Sequence, residues 1–378
     1  MMKRNLYTMA ALILGFAMTV TSCREESNSG SGSNQNAAEL DYSADNAAAW
    51  HNYMTQVAYL LKEDAASLYN AWSVSYNGGA AYAETFKNHS LDYTTATSCV
   101  EQIVDGCITI ADEVGNAKIG DPYNLYVSGK TTEALYAVES WYSWHSRDDY
   151  TNNIWSIRNA YYGTTDGTIS ANSVSAVVAA ADAAIDSEVK AAIQAAAQAI
   201  QDIPQPFRNH INSDEARAAM SACAALVEVM ENKLMPIVAT VSEDSWEPVV
   251  VQYADAVVLP TYKALMEKNE VLYNTVKALA EDPTDTAFEE ACDAWLEARE
   301  PWEMSEAFLF GPVDALGLDP NLDSWPLDQD AIVQILTSGD WDALEWSEDS
   351  EAEAAQSVRG FHTLEYLLFK DGKPRTVK

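Results

Sequence analysis

Positive charge is scarce in this chain of 378 residues: 22 Lys and Arg stand against 57 Asp and Glu, a formal net charge of −35. Such a surface repels nucleic acid and removes that class of partner. It favours cations, although solubility at a crowded cell surface accounts for the excess as well. Histidine is equally sparse, at five. No His-Glu-x-x-His segment occurs, and the reversed His-x-x-Glu-His form fails because position 366 is Tyr. The five cysteines include no Cys-x-x-Cys pair, which leaves zinc-finger and redox-motif readings without support. Cys99 and Cys107 lie eight apart in an expected helix, too far along its axis to bridge. They read, with Cys223 and Cys292, as buried thiols, an interhelical disulfide being the alternative. No apolar run after residue 22 is long enough to span a bilayer, and strand text is nearly absent.

What is present begins with a targeting segment. Lys3 and Arg4 precede an apolar run from Ala10 to Val20, then Val20-Thr21-Ser22-Cys23. This has the form of a bacterial lipoprotein signal: residues 1–22 would be removed and Cys23 lipidated, tying the chain to the outer membrane of the cell envelope. Glu25-Glu26 hints at onward export, so either the periplasmic or the outer face is open. Residues 23–42, rich in Ser, Gly and Asn, read as a flexible tether.

From Ser43 onward the text is helical. Trp50, Tyr53, Met54, Val57, Leu60 and Leu61 share a stripe that runs to Trp72. Further helices are expected at 92–114, from Ser146 to Tyr162, at 171–202, 213–240, 244–279 and 285–304, with a kink at Pro260. Residues 116–130 read as a loop, and Ser146 with Asp149 has capping-box form. The acidic run from Glu345 to Glu353 reads as a solvated loop and first helical turn. Helices of this length joined by short loops predict an all-α fold of two packed four-helix-bundle-like domains, 43–240 and 241–378.

Chemistry concentrates in one late stretch, Arg359-Gly360-Phe361-His362-Thr363-Leu364-Glu365. His362 and Glu365 are three apart and so stand side by side on a helix, in apolar surroundings where an unpaired charge is costly. On its own the pair reads as a core histidine capped by a carboxylate, or as two metal ligands. Arg299, Trp302 and Glu306 fall at i, i+3 and i+7 and would share a face. Glu139 to Asp149, dense in Trp, Tyr and Ser, precedes a helix start where anions often bind, or packs a domain boundary.

Together these segments resemble the imelysin family of bacterial envelope proteins, classed as metallopeptidases. The stretch around Gly360, His362 and Glu365 is similar to the family's Gly-x-His-x-x-Glu motif. Ala298 to Trp302 with Glu306, Gly311-Pro312 and Trp325-Pro326-Leu327 resembles the run preceding it. Glu139 to Ser143, with Asn152-Asn153-Ile154 and Ile157-Arg158, resembles the segment from the other half. The likeness covers most of residues 45–370, but the halves stand in reverse order, as in a circular permutation. Permutation requires the ends to meet, so residue 40 is expected beside residue 375.

The resemblance implies a site between two helical domains lined by Gly360, His362, Glu365, Arg299, Glu306, Glu139 and Ser143. His362, Glu365 and Glu306 would be metal ligands, and His145 a weak further candidate. Iron, zinc or manganese would suit such a set. Three functions follow: an envelope lipoprotein binding iron, another metal or a small ligand for uptake with transport partners; a zinc peptidase using His362 and Glu365; or a non-catalytic surface interaction module. A catalytic zinc wants three protein ligands, and only His362 is a convincing imidazole.

Overall fold

In a computed structural model of the chain, residues 40–339, 344 and 355–377 are described. Cys23, the signal, most of the tether and the acidic run at 345–353 lie outside them. Seventeen helices are described: α1 (Ala47–Ser73), α2 (Tyr82–Lys87), α3 (Ala96–Asp112), α4 (Gly120–Val127), α5 (Thr131–Tyr136), α6 (Ser146–Tyr162), α7 (Val174–Ala181), α8 (Ala183–Gln201), α9 (Asp214–Val229), α10 (Met235–Val238), α11 (Glu243–Tyr253), α12 (Leu259–Glu281), α13 (Asp285–Glu303), α14 (Pro312–Ala315), α15 (Leu318–Asp323), α16 (Gln329–Ser338) and α17 (Gly360–Leu368). One two-stranded antiparallel hairpin follows, pairing Phe369 with Pro374 and Lys370 with Lys373. No described helix is long and apolar enough to cross a membrane.

The long helices sort into two bundles. α1 buries Trp50, Tyr53, Met54, Val57, Leu61 and Leu68 along α12, α12 packs along α13, and α17 lies against α1 and α13. The other bundle joins α3, α6, α8 and α9, and α6 packs on α13 to link the two. The expected boundary near residue 240 is crossed both ways. The apolar stripe of α1 finds its complement on α12, while α11 packs on α3. The chain ends meet: Arg375 donates to the Leu40 carbonyl at 3.3 Å and to Asp41 at 2.6 Å.

Local structure departs from the sequence reading in three places. The run at 171–202 is two helices, broken at Asp182, whose carboxylate accepts from the Ala184 and Ile185 amides at 3.0 and 3.2 Å. Residues 116–130 are mostly helical, because Pro122 sits in the first turn of α4, where an amide has no helical partner to lose. Before it, Glu113–Lys118 forms a widened π turn. α6 starts at Ser146 as expected, but without a capping box: the Ser146 hydroxyl donates to the Glu139 carbonyl at 2.6 Å. Near Pro260 the ladder is relieved by a π turn over Ala254–Val258. Cys99, Cys107, Cys223 and Cys292 are free buried thiols, each pushed up in pKa by burial.

Candidate functional site

α17 is held from both sides by aromatic donors. Trp50 of α1 donates to the Leu367 carbonyl at 2.9 Å and Trp295 of α13 to the Phe361 carbonyl at 3.0 Å. At its start Gly360 has φ +86°, and a Cβ there would stand 2.5 Å from the Leu322 carbonyl oxygen. Only glycine lets the end of α15 come that close.

This packing sets His362 and Glu365, both wholly buried, in a chain of charges. His362 Nδ1 lies 3.1 Å from Glu365 Oε2, and Nε2 lies 3.2 Å from Asp323 Oδ1 and 3.3 Å from Arg299 Nη2. Burial and Arg299 each push the imidazole toward neutrality, but Asp323 and Glu365 outweigh them and raise it to about 9. It is therefore an imidazolium at neutral pH. The other Glu365 oxygen accepts from the Tyr142 and Ser143 amides at 3.0 and 2.7 Å and from the Ser143 hydroxyl at 2.7 Å. Glu365 thus fastens α17 to the aromatic loop before α6.

Arg299 is the hub on the other side. It pairs with Asp323, with Glu303 Oε1 at 2.6 Å and, through Nε, with Asp149 Oδ2 at 3.6 Å. Asp323 also accepts from the Trp302 indole at 2.7 Å. Burial works against the Asp323 charge, yet Arg299 and His362 hold it far below the usual carboxylate range. Glu303 is raised by burial to about 8 despite Arg299. Asp319, on the same short helix as Asp323, is raised to about 7 by burial and by Asp323.

Beyond Glu303 the cluster runs to Glu306, Lys118 and Glu139. Lys118, brought inward by the π turn, lies 3.1 Å from Glu139 and 3.9 Å from both Glu306 and Glu113. Burial alone would lower the Lys118 pKa, but Glu139, Glu306 and Glu113 raise it well above its ordinary value. Burial likewise pushes Glu306 well up. Glu303, Glu306 and Asp323 each offer an oxygen, and the three lie within 4.8 Å of one another.

Apart from Gly360, which sets the approach of α15, every lining residue named from the sequence joins one continuous polar cluster, though not in the expected groupings. α13 ends at Glu303, so Glu306 sits in a following 3-10 turn and not on the Arg299 face. Both nitrogens of His362 are engaged, and Glu365 is saturated by four bonds. Within this cluster the oxygens that converge for a metal are those of Glu303, Glu306 and Asp323, whereas His362, Glu365 and Glu306 do not group. His145 faces Asp148 at 3.5 Å and Asp149 at 3.9 Å. From the sequence Glu303, Asp323 and Lys118 had no assigned role, and Asp149 only that of capping partner to Ser146. Glu303 was visible as the i+4 partner of Arg299; Lys118 carried no signal.

A cation suits this donor set. Six buried or half-buried carboxylates (Glu139, Asp149, Glu303, Glu306, Asp323 and Glu365) face three cationic side chains, Arg299, Lys118 and His362. The buried Asn153 donates to Glu303 Oε2 at 2.5 Å, and its Oδ1 has no donor. Unpaired acceptors in an acceptor-rich interior are what a hard metal ion or a bound proton would satisfy.

Comparison with known proteins bears on the same residues. The imelysin family model matches residues 29–232 and 258–378. The chain is similar to an imelysin peptidase from Bacteroides ovatus whose crystal structure is known: 64% identity, 91% of this chain and 100% of that one covered, TM-score 0.90. It also resembles iron-regulated protein A of Synechococcus elongatus, with 34% identity over 122 residues. That match takes in 32% of this chain and spans only about a third of the relative's length, 31%.

Proposed function

The chain belongs to the imelysin family, and from that premise we propose that it is a lipid-anchored envelope protein that binds a metal ion, iron foremost, for uptake. The observation that carries this reading is the convergence of Glu303, Glu306 and Asp323 in a buried cluster with more carboxylates than cations. These three residues would hold the ion, and an all-oxygen set favours a hard cation. The likeness to an iron-regulated protein supports iron. Within this reading His362 is a positioning residue, orienting Asp323 through Nε2 while Glu365 anchors Nδ1. Arg299 holds Asp323 ionised, and an entering cation would displace the protons that Glu303 and Glu306 hold. Anchoring through Cys23 and delivery to transport partners belong to the same proposal.

The zinc-peptidase alternative asks His362 to be a neutral ligand, which its two carboxylate partners and raised pKa oppose. Titration calorimetry on the chain from residue 24, with ferrous, ferric and zinc ions, tests both. Wild type should bind about one ferrous or ferric ion that Glu306→Gln loses with helicity intact. Absence of saturable iron binding would sink the uptake reading. Cleavage of an unfolded protein, abolished by Glu365→Gln, would establish the peptidase instead.

A further inference from the structure

We propose that His89, Glu243 and Glu247 form a separate surface site for a first-row divalent cation of the zinc type, pinning the turn between α2 and α3 to the start of α11. It shares no residue with the buried cluster.

Three segments converge here. His89 follows α2 in a tight turn, its amide bonded to the Phe86 carbonyl at 3.2 Å and its backbone left-handed at φ +49°. Glu243 is the first residue of α11, and Glu247 lies one turn on, where i and i+4 share a face. One donor atom from each of the three lies within 4.8 Å of the others. His89 Nε2 stands 3.7 Å from Glu247 Oε2, beyond a hydrogen bond. That nitrogen is sealed from solvent and has no hydrogen-bond partner. An imidazole nitrogen withdrawn from water, without a hydrogen bond and 3.7 Å from one carboxylate of an acidic pair, is placed as a ligand is placed. As a mere packing histidine it would forfeit a hydrogen bond.

The support around the donors is also of the kind metal sites have. Glu243 accepts from the Ala96 amide, from the Thr97 amide at 3.3 Å and from the Thr97 hydroxyl at 2.7 Å. These bonds orient the carboxylate as second partners orient a metal ligand. Glu247 is half exposed and free to swing. Ligand atoms around zinc, at about 2.0–2.2 Å from the ion, stand roughly 3.3–3.6 Å apart in a tetrahedron. A rotation of the exposed Glu247 side chain would bring its oxygen from 3.7 Å of His89 Nε2 into that range. One imidazole and two carboxylates leave a fourth position for water.

Zinc titration of the chain from residue 24 decides the matter, comparing wild type, His89→Ala, Glu247→Gln, Thr97→Val and Glu306→Gln, each checked for helicity. Wild type and Glu306→Gln should bind one zinc ion that His89→Ala loses. Glu247→Gln and Thr97→Val should weaken it by about tenfold or more. Cobalt in place of zinc should give a visible absorption band in wild type that is missing from His89→Ala. Identical zinc stoichiometry and affinity in wild type and His89→Ala would overturn the proposal. Loss of iron from Glu306→Gln with zinc retained would separate this site from the buried cluster, so the failure of one is not the failure of the other.

Discussion

Gly360 and Gly129 offer a comparison at the scale of single residues. Both have left-handed φ values, +86° and +89°, but a Cβ on Gly129 meets nothing within 4 Å, whereas one on Gly360 meets the Leu322 carbonyl oxygen. Gly129→Ala should cost about 1 kcal/mol, the strain of the backbone alone. Gly360→Ala should cost about 3 kcal/mol or more, because α15 must also move away from α17. Urea unfolding of the two variants measures the difference. Equal losses would mean that the approach of Leu322 to α17 contributes no stability. The same contact explains why glycine precedes the histidine by two: it sets Asp323, one residue beyond Leu322, within reach of His362. The sequence allowed the close approach to be expected but could not name the partner, since residues 322 and 360 are joined only by the fold.

Helix boundaries carry the next level of argument, and Asp182 tests it. Its carboxylate caps α8 by accepting two amides that the helix cannot bond itself. Asp182→Ala should lower stability by about 1 kcal/mol, seen as a shift in the denaturation midpoint without loss of slope; no shift would mean that water serves the two amides equally well. Most of the fold was legible at this scale, since the stripes of α1, α12 and α13 recur at helical spacing and strand text is nearly missing. The break within 171–202 was not, because an Ala-rich run favours helix on both sides and hides a cap inside it. The π turn at Glu113–Lys118 was hidden for a related reason. It depends on Lys118 finding Glu139 and Glu306, and neither is near it in sequence. In the site, local spacing paired His362 with Glu365 and could have paired Arg299 with Glu303. Asp149 and Asp323 reach Arg299 only through the meeting of α6, α13 and α15.

For the whole molecule, the consequence of burying so many carboxylates is a stability that depends on pH. Folding raises Asp64 to about 6, Glu303 to about 8 and His362 to about 9, burial being the main cause for the carboxyls and Asp323 and Glu365 for the imidazole. In each case the folded chain holds a proton more tightly than the unfolded one. The carboxyl contributions are complete below about pH 4 and fade as the pH rises through 6 and 8. That of His362 is complete below about 6.5 and is lost as the pH rises through 9. Asp323 acts oppositely: its contribution is present above about pH 4 and lost as the pH falls through its depressed pKa. The metal-free chain should therefore melt at a higher temperature near pH 5 than near pH 8.5. Self-repulsion of a surface at net −35 changes in the same direction, but salt at about 0.5 M screens it while leaving buried groups nearly untouched. A difference that survives salt belongs to these protein-enclosed groups, Asp64, Glu303 and His362. A cation bound by Glu303, Glu306 and Asp323 replaces the protons that Glu303 and Glu306 would otherwise hold, so manganous ion should raise the melting temperature more at pH 8.5 than at pH 5. Equal increments at both values would show that the ion sits elsewhere and does not compete with those protons. A pH-independent melting temperature in chelator and high salt would show that these groups do not keep their protons in the folded chain.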